Sequence, residues 1–142
     1  MNINELKNIF TDCELLESKI VVKSNIAEFI AFIKENYHYD LLKEIIAVDN
    51  QENGIELIYK LYSTIDDEEI LVSNIVKDST ESLSSLFDSA MADEKEIFDL
   101  FGIRFTGNNE LKRLYMPETW IGHPLRKDYV ENDERLRWNE QN

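Results

Sequence analysis

The chain has 142 residues, of which 43% are hydrophobic and 11% aromatic, enough for one domain with a real core and far from the disordered class. Its formal net charge of −14 excludes nucleic acid and anionic lipid as direct partners, because both need a basic footprint. One cysteine, Cys13, and four glycines without phosphate-loop spacing exclude iron–sulfur clusters, Cys-based zinc sites and a Walker or dinucleotide turn.

The first element in chain order is a short helix over Asn4–Phe10, with Leu6, Ile9 and Phe10 apolar. Met1 to Glu5 carries neither a basic nor an apolar leader region, so no secretion signal is expected. Cys13 reads as a small buried apolar residue in a reducing cytosol. Lys19–Lys23 is a β-branched run and a predicted strand. Ser24 or Asn25 is positioned to cap the next helix, with Glu28 three residues after Asn25. Its Ile26, Phe29, Ile30 and Ile33 follow the spacing of one buried helical face.

Leu42–Val48 and Ile55–Tyr62 read as strands joined through Asn53-Gly54, a turn signal because both residues tolerate positive φ. Asp66-Asp67 marks another turn and Glu69–Val76 another strand. Ser79–Ala90 is a helix candidate carrying Leu83, Leu86 and Phe87. Asp93–Phe101 is a second, with Asp93, Glu94 and Glu96 in its first turn, where the helix dipole favours anions. Gly102 stands where a left-handed residue would stop it. No apolar run approaches the roughly 18–20 residues that span a bilayer. The fold class expected is α+β: an antiparallel sheet of about four strands with helices packed on it and an extended C-terminal arm.

Composition changes sharply after Ile103. Residues 1–103 hold eight lysines, no arginine and twenty-two acids, whereas residues 104–142 hold five arginines, two lysines and seven acids. Both tryptophans, Trp120 and Trp138, and both prolines, Pro117 and Pro124, also fall in the second part. Two units follow: an acidic α+β domain over 1–103 and an extended docking arm over 104–142. Arg and Trp are enriched at the energetic centres of interfaces. The same residue types also suit an arm wrapped over its own sheet, and composition leaves the two readings level.

The most specific text is Gly122-His123-Pro124-Leu125-Arg126-Lys127-Asp128-Tyr129, preceded by Leu111-Lys112-Arg113-Leu114-Tyr115-Met116-Pro117-Glu118. With Glu94–Ile103, which contains Glu94, Glu96, Asp99, Phe101 and Gly102, these blocks resemble the thirty-kilodalton-type C-subunit of the proton-pumping NADH:quinone oxidoreductases of the complex I type. Related subunits of membrane-bound energy-converting hydrogenases share the pattern. Ala47-Val48-Asp49 adds a weaker match to a family strand ending. Two departures stand out: the family's Glu-Arg-Glu is Glu94-Lys95-Glu96 here, and its Gly-His-Pro after the Phe-Gly-Ile strand is Gly107-Asn108-Asn109.

What the resemblance implies is a non-catalytic subunit of the peripheral arm, on the cytoplasmic side of the membrane. It would pack against the large quinone-site subunit, with an iron–sulfur subunit as neighbour and without inserting into the bilayer. It would carry no cofactor, the flavin, clusters and quinone belonging to partners. Arg126, Lys127 and Asp128 would make charge-assisted bonds to the partner or to the acidic helix. Gly122 and Pro124 would set the backbone path, and Trp120 would anchor it. The same subunit of a nickel–iron hydrogenase complex is the alternative host.

Rival readings come from other classes. Glu94, Glu96 and Asp99 form the only candidate acid–base set for a free-standing hydrolase, against the baseline that first-turn carboxylates are solvated or capping. An acidic mimic of nucleic acid leaves Trp120 and Arg126 without a task. His38 and His123 lack a second histidine at metal-ligand spacing. Between Gly and Pro, His123 is expected to hydrogen-bond within a turn.

Overall fold

A computed structural model describes residues 1–113, 115–117 and 120–130. Helix α1 (Ile3–Ile9) is capped by the Asn2 side chain, which accepts from the Asn4 amide at 2.9 Å. Strands β1 (Cys13–Leu16) and β2 (Lys19–Val22) form a hairpin. Helix α2 (Ile26–Tyr37) follows, then β3 (Leu41–Asp49), β4 (Ile55–Ser63) and β5 (Glu68–Val76). Short strands β6 (Ser79–Glu81) and β7 (Arg104–Thr106) flank helix α3 (Ala90–Phe101).

The α+β class holds. The main sheet has five strands in the order β1-β2-β5-β4-β3. It is mixed rather than purely antiparallel, because β2 runs parallel to β5. Four-residue β1 carries no β-branched residue and no clean alternation, which is why it escapes a pattern search. Its turn uses Glu17 at φ 55°. β6 and β7 make a separate parallel pair.

All helical apolar positions expected of α2 are buried: Ile26, Phe29, Ile30 and Ile33. Each such burial stabilises by about 1.5–3 kcal/mol. Phe10 meets Phe29 edge to face, with ring centroids 5.1 Å apart. The expected cap does not form. Asn25 adopts the left-handed region at φ 54° without a side-chain bond, and its carbonyl accepts from Phe29 at 3.0 Å. Ser24 bonds the Asp12 carboxylate instead.

The helix expected over Ser79–Ala90 is also replaced. Strand β6 takes its first residues, turns follow, and α3 begins at Ala90. Of the expected apolar positions, Leu83 and Phe87 enter the core and Leu86 packs half-buried against it, so the apolar positions hold while the helical period does not. α3 lies along the outer edge of β3, at the bulge between Leu42 and Glu44. There Asp93 accepts from the Ile45 amide at 3.0 Å and the Ser89 hydroxyl donates to the Leu42 carbonyl at 2.9 Å. Helix side chains thus occupy edge groups that would otherwise invite strand pairing.

Candidate functional site

A helix leaves its last carbonyls without intrahelical donors. In α3 the first of these is met locally: Gly102, at φ 78°, ends the helix and donates to the Phe98 carbonyl at 2.9 Å. The next three are met by the arm. Asp99 O accepts from Arg113 Nη2 at 3.0 Å and from His123 Nδ1 at 2.8 Å. Leu100 O accepts from the Leu125 amide at 2.9 Å. Phe101 O accepts from Arg126 Nε. The central residues of the arm's motif are therefore a tertiary cap on α3.

The cap is seated by shape as well as bonds. A Cβ on Gly102 would stand 2.6 Å from His123 Cδ2, so the imidazole lies flush against bare backbone. Gly122, at φ 90°, approaches the Tyr129 ring closely too, since a Cβ there would stand 3.0 Å from Cε2. Trp120 Nε1 donates to the Tyr129 hydroxyl at 3.0 Å. Gly122, Trp120 and Tyr129 thus close the arm's own turn.

Beneath the cap lies a buried ion pair. Asp99 has no exposure, and its Oδ1 accepts from Arg113 Nε at 2.6 Å. Its Oδ2 accepts from the Tyr115 and Met116 amides at 2.6 and 2.9 Å. Arg113 also reaches the Trp120 carbonyl at 3.0 Å and the Gly122 carbonyl at 2.7 Å. One planar fork thus gathers α3 and two passes of the arm, which a lysine cannot do. Further along, Asp49 at the end of β3 accepts from the Lys127 amide at 2.9 Å and from the Gln51 amide at 2.8 Å. The Lys127 amide is the leading cause that holds the Asp49 carboxyl below its ordinary range.

Glu94 is a different centre. It is fully buried, not solvated as a first-turn acid would be. The Leu83 amide donates to it at 2.7 Å, the Ser82 hydroxyl at 2.7 Å and Asn108 Nδ2 at 2.8 Å. Burial pushes its carboxyl above the ordinary value, against the lowering effect of those donors. Asn108, one of the positions that departs from the family pattern, here ties the end of β7 to α3. Glu96 is exposed. The three carboxylates are not brought together: Glu94 and Asp99 are committed to separate sets of donors.

Sequence reasoning missed Asp49 and Asn108 as anchors, since neither type announces a backbone partner nearly eighty residues away or a buried carboxylate. Arg126 does not pair with the acidic helix's side chains. It takes one helix carbonyl, Phe101 O, with a longer contact of 3.5 Å to Lys77 O. The Lys127 and Asp128 side chains are exposed, while Pro124 is half-buried. Among the described residues, no cluster of three His, Cys, Asp or Glu side chains is placed to hold a metal ion. No helix among them is long and apolar enough to cross a membrane. Trp138 lies outside the described residues.

The outward side of the arm carries large apolar side chains. Tyr115 is 64% exposed, Ile121 73%, Leu125 53% and Val130 70%. On this segment Arg113, His123 and Arg126 turn toward α3, whereas Tyr115, Ile121, Leu125 and Val130 face out beside the exposed Lys127 and Asp128 side chains.

Comparisons with known proteins converge. Residues 20–135 match the family described as "Respiratory-chain NADH dehydrogenase, 30 Kd subunit". The NADH-quinone oxidoreductase C-subunit of Moorella thermoacetica is 35% identical over 136 residues, covering 89% of this chain and 92% of that protein. The NADH-quinone oxidoreductase C/D-subunit of Phocaeicola vulgatus is 36% identical over 109 residues, and the match takes in 74% of this chain but only 21% of that longer protein. Among solved structures, the trypsin-resistant fragment of Nqo5 superposes with a TM-score of 0.64 at 20% identity, covering 78% of this chain and all of the fragment. That last likeness speaks to the fold.

Proposed function

The chain belongs to the family of the 30 kDa subunit of the respiratory-chain NADH dehydrogenase, and on that premise we propose that it is a non-catalytic docking subunit of a complex-I-type NADH:quinone oxidoreductase. It binds and stabilises the large quinone-site subunit through the outer side of its C-terminal arm. The observation that carries this reading is the outward apolar group of the arm: Arg113, His123 and Arg126 are committed to α3, while Tyr115, Ile121, Leu125 and Val130 are left to meet a neighbour. Exposed apolar side chains grouped on one segment mark interaction sites.

A relative whose name joins the C and D components in one chain supports a D-type neighbour for this protein. The iron–sulfur subunit lies beside it, and the flavin, clusters and quinone are held by partners. The assembly sits on the cytoplasmic side of the membrane without inserting this chain. Its contribution is position, and the redox chemistry belongs to the complex.

The test is Leu125→Asp in the full chain, with recovery of the complex from native membranes as readout. Burial of Leu125 at an interface contributes about 1.5–3 kcal/mol, so the variant should fold normally yet recover the other subunits at least tenfold less well. Full recovery with the substitution in place would count against docking through the arm.

A further inference from the structure

Among the described residues, the helices pack on one face and one edge of the five-stranded sheet, and the other face is left without a covering element. Outward positions on β4 pair across the sheet with outward positions on both neighbours: Ile58 with Ser73 of β5 and Ile46 of β3, and Glu56 with Ile75 and Val48. On the far side Val21 of β2 pairs with Ser73, and Lys19 with Leu71. The resulting face has an apolar centre of Val21, Ile46, Val48, Ile58, Leu71 and Ile75. Of these, Ile46 is 37% exposed, Val48 39% and Ile75 51%.

Most of its charges are paired, Glu14, opposite Val21 on β1, being the exception among the described residues. Lys19 pairs with Glu56, Lys60 with Glu44 at 3.1 Å and Lys43 with Glu69 at 2.9 Å. Three lysines thus neutralise three glutamates on a chain whose net charge is −14. The excess acid sits elsewhere, and this face is nearly neutral.

We infer that this open sheet face is a second docking surface, and that its occupant is an apolar, uncharged face of another subunit of the complex. The inference rests on the docking reading above. Near-neutrality speaks for such a partner, since a basic one would find three of the face's acids, Glu44, Glu56 and Glu69, already paired. A second copy of this chain is the natural rival. Five strands at ~4.8 Å spacing and four outward rows at ~6.8 Å give a face of about 19 by 20 Å. Two copies face to face would bury on the order of 800 Å², short of the roughly 1,200 Å² at the lower end of stable specific interfaces. They would also bring two strongly acidic bodies together. A face of this size fits one contact among several, alongside the arm.

The experiment places a photo-crosslinking benzoylphenylalanine at Ile58 or at Leu125 of the full chain, irradiates native membranes and maps the products. The inference expects Ile58 to capture another subunit of the complex at a segment free of charged residues. A crosslink from Leu125 with none from Ile58 would overturn the second surface and leave the arm's docking intact. Capture of a second copy through Ile58 would overturn it too, and silence from both positions would remove the docking reading with it. As a companion, Ile46→Asp with Ile58→Asp should leave the circular dichroism and unfolding midpoint of the isolated chain close to wild type while lowering recovery of the complex at least tenfold. Undiminished recovery of the complex with this pair would refute the inference.

Discussion

Arg113→Ala tests whether the arm is fastened to α3 in solution. The substitution removes four hydrogen bonds: to Asp99 Oδ1, Asp99 O, Trp120 O and Gly122 O. It also leaves the Asp99 carboxylate, which has no exposure, without its cation. Breaking a buried pair by removing one partner costs about 3–5 kcal/mol, because the remaining charge stays desolvated. Against a typical domain stability of roughly 5–15 kcal/mol, that is about a fifth or more. In a chain of this size each kcal/mol lowers Tm by about 3 °C, so a fall of roughly 10–15 °C is expected. Urea unfolding followed by circular dichroism measures it directly, with a lower midpoint at unchanged slope. Arg113→Lys should recover little, since an ammonium cannot span the four acceptors. A loss below about 1 kcal/mol for Arg113→Ala would show that the pair contributes no more than an exposed one, and the tertiary cap would have to be abandoned.

Gly102→Ala puts a Cβ 2.6 Å from His123 at a φ of 78°. The left-handed region alone costs a non-glycine residue about 1–2 kcal/mol, and the His123 ring must leave its seat. Loss of protection at the Leu125 amide by hydrogen exchange would report that displacement, and wild-type protection would speak against the fit. Glu94 predicts a pH dependence. Its folded carboxyl is raised by burial, so the folded state binds that proton more tightly than the unfolded one. The stability tied to Glu94 is greatest below the ordinary value of 4.5 and declines as pH rises through the folded pKa. The difference between wild type and Glu94→Gln should therefore shift against wild type with rising pH and then level off. A difference that is flat or moves the other way between pH 4 and 7 would refute it. Asp49 carries the opposite sign, since its carboxyl is lowered chiefly by the Lys127 amide. Its contribution is present above the ordinary value of 3.8 and lost as pH falls, and Asp49→Ala should speed exchange of the Lys127 amide at neutral pH.

Period and punctuation in the sequence determined much of this protein. The buried stripe of α2, the three long strands, the reversal at Gly54 (where Gln51 rather than Asn53 shares the positive φ) and the stop at Gly102 all rest on contacts within a few residues, and local chemistry sets them. The ordered blocks from Glu94 to Tyr129 likewise placed the chain in its family. Tertiary structure decided the rest. Which strand receives the β1–β2 hairpin depends on how Ile20 and Val22 share a core with Val72 and Val76. The Ser79–Ala90 segment lost its helix because Ser82 and Leu83 are taken by Glu94, a residue beyond its end. Above all, the direction in which Arg113 and Arg126 point was not legible. A guanidinium serves a partner's carboxylate and its own domain's helix carbonyls with the same geometry, and only the fold, which brings the last carbonyls of α3 to Arg113, His123, Leu125 and Arg126, turns that choice inward.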